Sequence, residues 1–241
     1  MTFEGLHSTV AGASFARREG HVRLLLPSVP LPIFNGVLVE SEACAGVAES
    51  LEEVEACGVP CGVQLRARLD ARAEAEAASR GLTQRTSMPG LAVAPDELVD
   101  APTSGLEIAQ AENEDDLMDA AGVSAAGFEG PIDVMRALYT PELLDLAGMA
   151  IYVGRVAGDP VTTAIGYRTS GDVGIFSIAT PPEHRRRGYG AAITAHAVRA
   201  GFREGGDLAW LQTTAIGESV YRALGFRHVA SHVMLTRPSP E

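Results

Sequence analysis

Residues 182–190, Pro-Glu-His-Arg-Arg-Arg-Gly-Tyr-Gly, stand between an apolar run at 173–179 and an apolar-periodic stretch at 191–202. That order reads as strand, glycine turn, helix. A turn carrying Gly188 and Gly190 lets backbone N–H groups crowd one point, where the dipole of the following helix also favours an anion. Arg185, Arg186 and Arg187 add permanent positive charge beside it, and a guanidinium grips phosphate through two parallel hydrogen bonds. The chemistry implied is capture of a small polyanion, a phosphate or a pyrophosphate.

Two common cofactor classes are excluded by what the turn lacks. A dinucleotide turn needs a third small residue, and counting on from Gly188 and Gly190 reaches Ile193. A nucleoside-triphosphate loop needs a lysine, and all 19 basic residues of this chain are arginine. What remains, Arg185-x-x-Gly188-x-Gly190, resembles the Arg/Gln-x-x-Gly-x-Gly/Ala turn of the GNAT superfamily of N-acetyltransferases. Downstream, a strand-like run at 208–213 precedes Gly217 and the string Tyr221-x-x-Leu224-Gly225-Phe226, with Gly225 as a helix stop. This resembles the second GNAT signature, Tyr-x-x-Leu-Gly-Phe, at the family's usual order and separation.

The resemblance implies acetyl-CoA as cosubstrate and transfer of its acetyl group to a primary amine by direct attack. It places the pyrophosphate on amides from Arg186 to Gly190, Tyr189 included, with Arg185 and Arg187 alongside. It places the pantetheine arm on backbone groups of Ile178 and Thr180, and Tyr221 where a phenol protonates the leaving thiolate. Thr214 stands where the family often has asparagine or serine, and either touches the cofactor or caps a helix. Some family members carry a basic glutamate early in the fourth strand; the aligned position here is Gly174, so that base is missing, and Asp172 is the nearest carboxylate on the same strand face. His184 lies in the phosphate loop, away from the acceptor.

The elements that must position these residues follow from breakers and periodicity. A linker rich in Pro, Gly, Ser and Asp at 94–105 separates an N-terminal domain, 1–101, from a catalytic domain, 102–241. After it come a strand at 106–110, a helix at 114–121 capped by Asn113, a helix opened by Gly130-Pro131, another at 140–146, and strands at 150–156 and 162–169 joined by Gly158-Asp159-Pro160. The expected class is α/β (α+β): a GNAT fold with a central mixed, mostly antiparallel sheet flanked by helices, preceded by a partial GNAT-like domain. The helical pattern at 51–57, the strand-like 61–65 and the helical 71–80 parallel the later 195–203, 209–213 and 217–224, so the front half reads as a worn second copy. It lacks the Arg-x-x-Gly-x-Gly turn and has Ala77 where tyrosine is wanted, so it is expected to support the fold or wall the acceptor pocket. Asn35 either reaches that pocket or serves a turn.

At 241 residues and 46% hydrophobic content the chain has ample core. A net charge of -12 opposes nucleic-acid binding and suits a cationic amine, whether small molecule or peptide, although solubility alone explains it equally. No apolar run of about 18 residues and no leader-like start are present, so the expectation is a cytoplasmic protein without membrane attachment. Cys44, Cys57 and Cys61 have no nearby histidine to complete a zinc set and are expected to be reduced. Abundant Ala, Gly and Arg without lysine suit a bacterium with GC-rich DNA, and a homodimer is compatible with such folds. An acyl-CoA sensor without turnover, and an interaction module built on a former enzyme, stay open beside the transferase.

Overall fold

The computed structural model describes residues 6–41, 45–66, 71–214 and 217–238. The chain divides into two units, Met1–Pro89 with Ala230–Glu241, and Gly90–Val229.

In the first unit β1 (Ser14–Arg18) and β2 (His21–Leu25) form an antiparallel hairpin. β3 (Asn35–Val39) runs antiparallel to β2, α1 (Val47–Glu55) follows, β4 (Gly62–Arg66) lies parallel to β3, and α2 (Ala71–Ser79) closes the run. On α1 the apolar residues Val47, Leu51 and Val54 recur at helical spacing and pack with Leu25, Val37, Val39 and Val63 of the strands. Asn35 serves the turn rather than a pocket. Wholly buried, it accepts from Leu26 N at 2.9 Å and donates to the Val29 and Leu31 carbonyls at 2.8 and 3.1 Å. Cys57 is exposed and Cys61 buried, with burial pushing the Cys61 thiol up; Cys44 lies outside the described residues.

β5 (Gln84–Val93) leads into the second unit, where the breaker-rich segment 94–105 carries neither helix nor strand. Next come β6 (Glu107–Gln110), α3 (Glu114–Phe128), α4 (Ile132–Leu138), β7 (Met149–Val156), β8 (Asp159–Thr169) and β9 (Asp172–Ala179), with β6 to β9 successively antiparallel. α5 (Tyr189–Arg203), β10 (Leu208–Gln212), α6 (Glu218–Ala223) and β11 (Arg227–Thr236) complete the chain. β10 is parallel to β9 and antiparallel to the Gly90–Val93 end of β5. Beyond residue 230, β11 pairs antiparallel with β4 of the first unit.

Both units therefore repeat one order: two antiparallel strands, a helix, a parallel strand, a helix and a further strand. The final strands are exchanged. β5, which follows α2, completes β10, whereas β11, which follows α6, completes β4.

Three local differences from the sequence expectation have simple causes. α3 runs on through Gly122 to Phe128, because Val123, Ser124 and Ala125 continue its buried face and offset the roughly 1 kcal/mol cost of an interior glycine. At its start Asn113 accepts from Asp116 N at 3.0 Å, with three acidic residues in the first turn. Only Pro141–Leu143 of the expected helix at 140–146 forms, as one 3-10 turn. The β7–β8 connection is the pair Ala157-Gly158, both at positive φ (53° and 92°) as a two-residue hairpin demands, so Asp159 and Pro160 belong to β8. No described helix is long and apolar enough to cross a membrane.

Candidate functional site

The pairing of β9 with β10 is short. It covers Asp172–Gly174 against Leu208–Trp210, after which β9 stays on β8 up to Ala179 and β10 stays on β5 up to Gln212. A gap opens between the two parallel strands beyond Gly174 and Trp210. On the β8 side the register slips at the same level: Ile165 faces Phe176 and Thr163 faces Ala179, so Ser177 and Ile178 stand opposite Ala164 alone. Ser177 sits at φ 48°, which is the geometry of a β-bulge. A bulge turns backbone groups off the ladder, and here they are those of Ser177 and Ile178.

Thr180 continues from β9 and its hydroxyl faces inward. Thr162 gives its single proton to the Ala179 carbonyl at 2.9 Å, so the 2.9 Å contact between the Thr162 and Thr180 hydroxyls must be donated by Thr180. The Thr180 hydroxyl has no proton left to give a ligand.

The chain then makes a 3-10 turn, Pro182–His184, and enters the arginine-glycine segment. Arg186 and Gly188 both take left-handed backbone, φ 64° and 84°, and Gly188 is the residue before α5. Among the described residues the amides of 186–191 donate to no backbone carbonyl; the first bond of the helix is Ala192 N to Gly188 O at 2.9 Å. Unpaired N–H groups collected at the positive end of a 15-residue helix form an anion cradle. Tyr189 is buried as the first residue of α5, and a Cβ on Gly190 would meet only Thr180 Oγ1, at 3.5 Å.

The three arginines differ. Arg185 donates to the Thr180 carbonyl at 3.1 Å and to the Gly127 carbonyl at the end of α3 at 2.8 Å, so its guanidinium ties the turn to β9 and α3. Arg187 donates to the Glu183 carbonyl at 3.3 Å, and Arg186 is exposed. His184 belongs to the 3-10 turn.

Tyr221 lies on α6, its ring 6.1 Å from that of Phe226 in an edge arrangement, packed against the core of the second unit. Burial pushes its phenol up to about 12, and among the described residues no hydrogen bond engages its hydroxyl. The phenol is thus protonated at neutral pH and its proton is uncommitted. Thr214 is exposed; its carbonyl accepts from Gly217 N at 3.1 Å, and α6 has no side-chain cap, so Thr214 does not cap that helix.

The structure explains why Gly174 cannot be a carboxylate. A Cβ there would lie 2.6 Å from Phe176 Cε2 and 2.6 Å from Trp210 Cζ2, in the space filled by these two rings, which meet edge to face at 5.1 Å. Sequence reading missed this aromatic pair, although the two-residue spacing of Gly174 and Phe176 puts them on one strand face. Asp172, at the start of β9, is exposed. No cluster of His, Cys, Asp or Glu able to hold a metal occurs among the described residues.

Residues 124–226 match the model of the Acetyltransferase (GNAT) family. No curated protein matches the sequence. Among solved structures the chain is similar to a GCN5-related N-acetyltransferase from Kribbella flavida, at 23% identity and TM-score 0.71 over 98% of this chain and 93% of that one. A functionally unknown conserved protein from Staphylococcus epidermidis ATCC 12228 shares the fold at 12% identity and TM-score 0.68, over 100% of this chain and 98% of its own. A tandem GNAT protein from the clavulanic acid biosynthesis pathway does so at 13% identity and TM-score 0.58, over 91% of this chain and 76% of its own. These likenesses establish the fold, and the segment that matches the GNAT family model runs from within α3 to Phe226.

Proposed function

We propose that the second unit transfers an acetyl group from acetyl-CoA to a primary amine on a small molecule or peptide. The observation that carries this is the alignment of three features along one stretch of chain: the gap between β9 and β10, the bulge at Ser177, and the unpaired amides of 186–191. The residues fit the group. The cradle suits a pyrophosphate, with Arg186, Arg187, Gly188, Tyr189 and Gly190 around it and Arg185 bracing the turn; the backbone of Ile178 and Thr180 suits the amide-bearing arm that leads into the gap. Acetyl-CoA supplies an activated acyl thioester. Tyr221 supplies the proton that a departing thiolate requires, and its desolvated phenol holds that proton until one is needed. Thr214 is an exposed polar group at the end of β10 and completes the proposed set.

The acceptor amine arrives neutral or loses its proton to water, since β9 bears no carboxylate from Val173 to Ala179. That same feature favours a second reading, an acyl-CoA-binding module without turnover. The front half is proposed as a non-catalytic copy. Its equivalent turn also ends in a left-handed glycine before a helix, Gly46 at φ 81°, but the three residues that precede this glycine in the sequence are Ala43, Cys44 and Ala45 where the cradle has Arg185, Arg186 and Arg187. Calorimetry with acetyl-CoA, followed by release of free CoA with a panel of amines, tests the reading. Binding with release supports the transferase, binding with no release for any amine supports the module, and no binding at millimolar concentration removes both.

A further inference from the structure

One face of β8, β9 and β10 carries an aromatic strip beside the gap. The register sets Tyr167, Gly174 and Trp210 in one row across the three strands, with Asp172 and Leu208 in the row before it. Phe176, two residues on from Gly174, shares their face, and beside it β9 and β10 part. α5 lies on the opposite face: Val173 and Ile175 pack in one core with Ile193 and Val198, and a Cβ on Gly201 would fall 2.5 Å from Val173 Cγ1. The cradle opens a helix on one side of the sheet, the strip lies on the other, and the gap joins them.

The strip has a defined chemistry. Tyr167, Phe176 and Trp210 are each only half-buried, and the Phe176 and Trp210 rings stand edge to face at 5.1 Å where Gly174 has no side chain. Leu208 is 39% exposed. Asp172 is exposed and takes part in no ion pair among the described residues. The three strands hold one arginine, Arg168, which is paired with Val173 on the α5 face and reaches Glu204 at 3.6 Å. The strip therefore offers ring surface and one free carboxylate, with no cation to compete for either. Rings and a carboxylate both attract an ammonium group, and the rings also cover methylenes. An acceptor with a single amine would leave Asp172 unused. Asp172 stands two to three residues short of the gap, about 7–10 Å at roughly 3.3 Å per residue, the reach of an extended chain of about six carbons.

We propose that this face selects a linear diamine as acceptor. One amine enters the gap, the apolar chain lies along Phe176 and Trp210, and the second, charged nitrogen rests beside Trp210 at the Asp172 carboxylate. Trp210 and Asp172 are thus specificity-determining residues, with Asp172 a counter-ion for the remote nitrogen rather than a base for the reacting one. This rests on the acetyl-CoA reading given above and leaves its chemistry unchanged: the N–C bond forms as the C–S bond breaks, the amine proton goes to water, and the thiolate takes its proton from Tyr221. A net charge of -12 favours approach of a dication.

Trp210 is the chain's one tryptophan, so its emission reports this face without reference to turnover. The full chain, saturated with CoA, is titrated with hexamethylenediamine and with hexylamine, and acetyl transfer to each is timed separately. Trp210 emission is expected to respond to the diamine with about fivefold higher affinity, the worth of one exposed ion pair. Asp172→Asn should erase that preference, raising KM for the diamine about fivefold with kcat within about twofold, and leave hexylamine unaffected. A fall in kcat for both amines would mark Asp172 as a base and overturn the proposal. Trp210→Leu, read by calorimetry, should weaken the diamine about threefold more than hexylamine. Where that variant does not fold, the Asp172→Asn comparison decides alone. Equal affinity of the parent for the two amines, or no response of Trp210 to either, overturns the diamine assignment and leaves acetyl-CoA binding standing. If acetyl-CoA gives no heat with the parent, the acetyl-CoA reading fails first and the acceptor assignment falls with it, whatever Trp210 shows.

Discussion

Leu91 precedes the linker, yet its side chain belongs to the core that carries the site. It is 0% exposed and packs in one cluster with Val173, Ile193, Leu211, Leu224 and Phe226, while its backbone is paired with β10 at Leu211. Leu91→Ala should therefore weaken the second unit. Leucine-to-alanine changes at fully buried sites cost about 2–5 kcal/mol, and a middle value of about 3 kcal/mol corresponds to roughly two orders of magnitude in an opening equilibrium. Amide exchange in α5 and β10 should accelerate by about that factor wherever it proceeds through global opening, and the denaturant midpoint of the second unit should fall. Leu51→Ala, within the apolar cluster of the first unit, serves as the comparison and should act on α1 and β3. Exchange in α5 and β10 that ignores Leu91→Ala would refute the claim that β5 completes the site-bearing unit.

Tyr221→Phe should lower turnover by about a hundredfold or more while leaving acetyl-CoA affinity within about twofold, as rapid-quench rates and calorimetry would show. Because burial raises the Tyr221 pKa to about 12 from an unfolded value near 10, its contribution to stability is complete below about pH 10 and is lost as pH rises towards 12; alkaline melts of the parent and of Tyr221→Phe should diverge only in that window. Gly190→Ala meets just one ordinary contact, at Thr180 Oγ1, and should leave both fold and melting temperature nearly unchanged, whereas Gly190→Trp should fill the cradle and weaken acetyl-CoA binding at least tenfold in calorimetry.

Much of the second unit is legible in the sequence because its signals are local. The strand, glycine turn and helix around Gly188 depend on neighbouring residues, as do the Asn113 cap and the stop at Gly225. The bulge at Ser177 is not legible: serine has no preference for φ 48°, and the slip in register exists only in the pairing of β9 with β8. The ring pair over Gly174 is hidden for a similar reason, since Phe176 and Trp210 meet across strands that sequence alone does not align. Nor does any local pattern reveal that β5 and β11 trade places. Strand pairing is chosen by free edges, and the breaker-rich run at 94–105 draws attention to itself although the chain has already crossed into the second unit at Gly90.

The traded strands constrain how a nascent chain can fold. While the ribosome is still making α5, β4 lacks the neighbour that residues 232–236 provide, so the earlier-made sheet keeps a bare, hydrogen-bonding rim until β11 has been made. Pairing at so large a separation in sequence is slow. The first unit therefore becomes whole only after the second has been made.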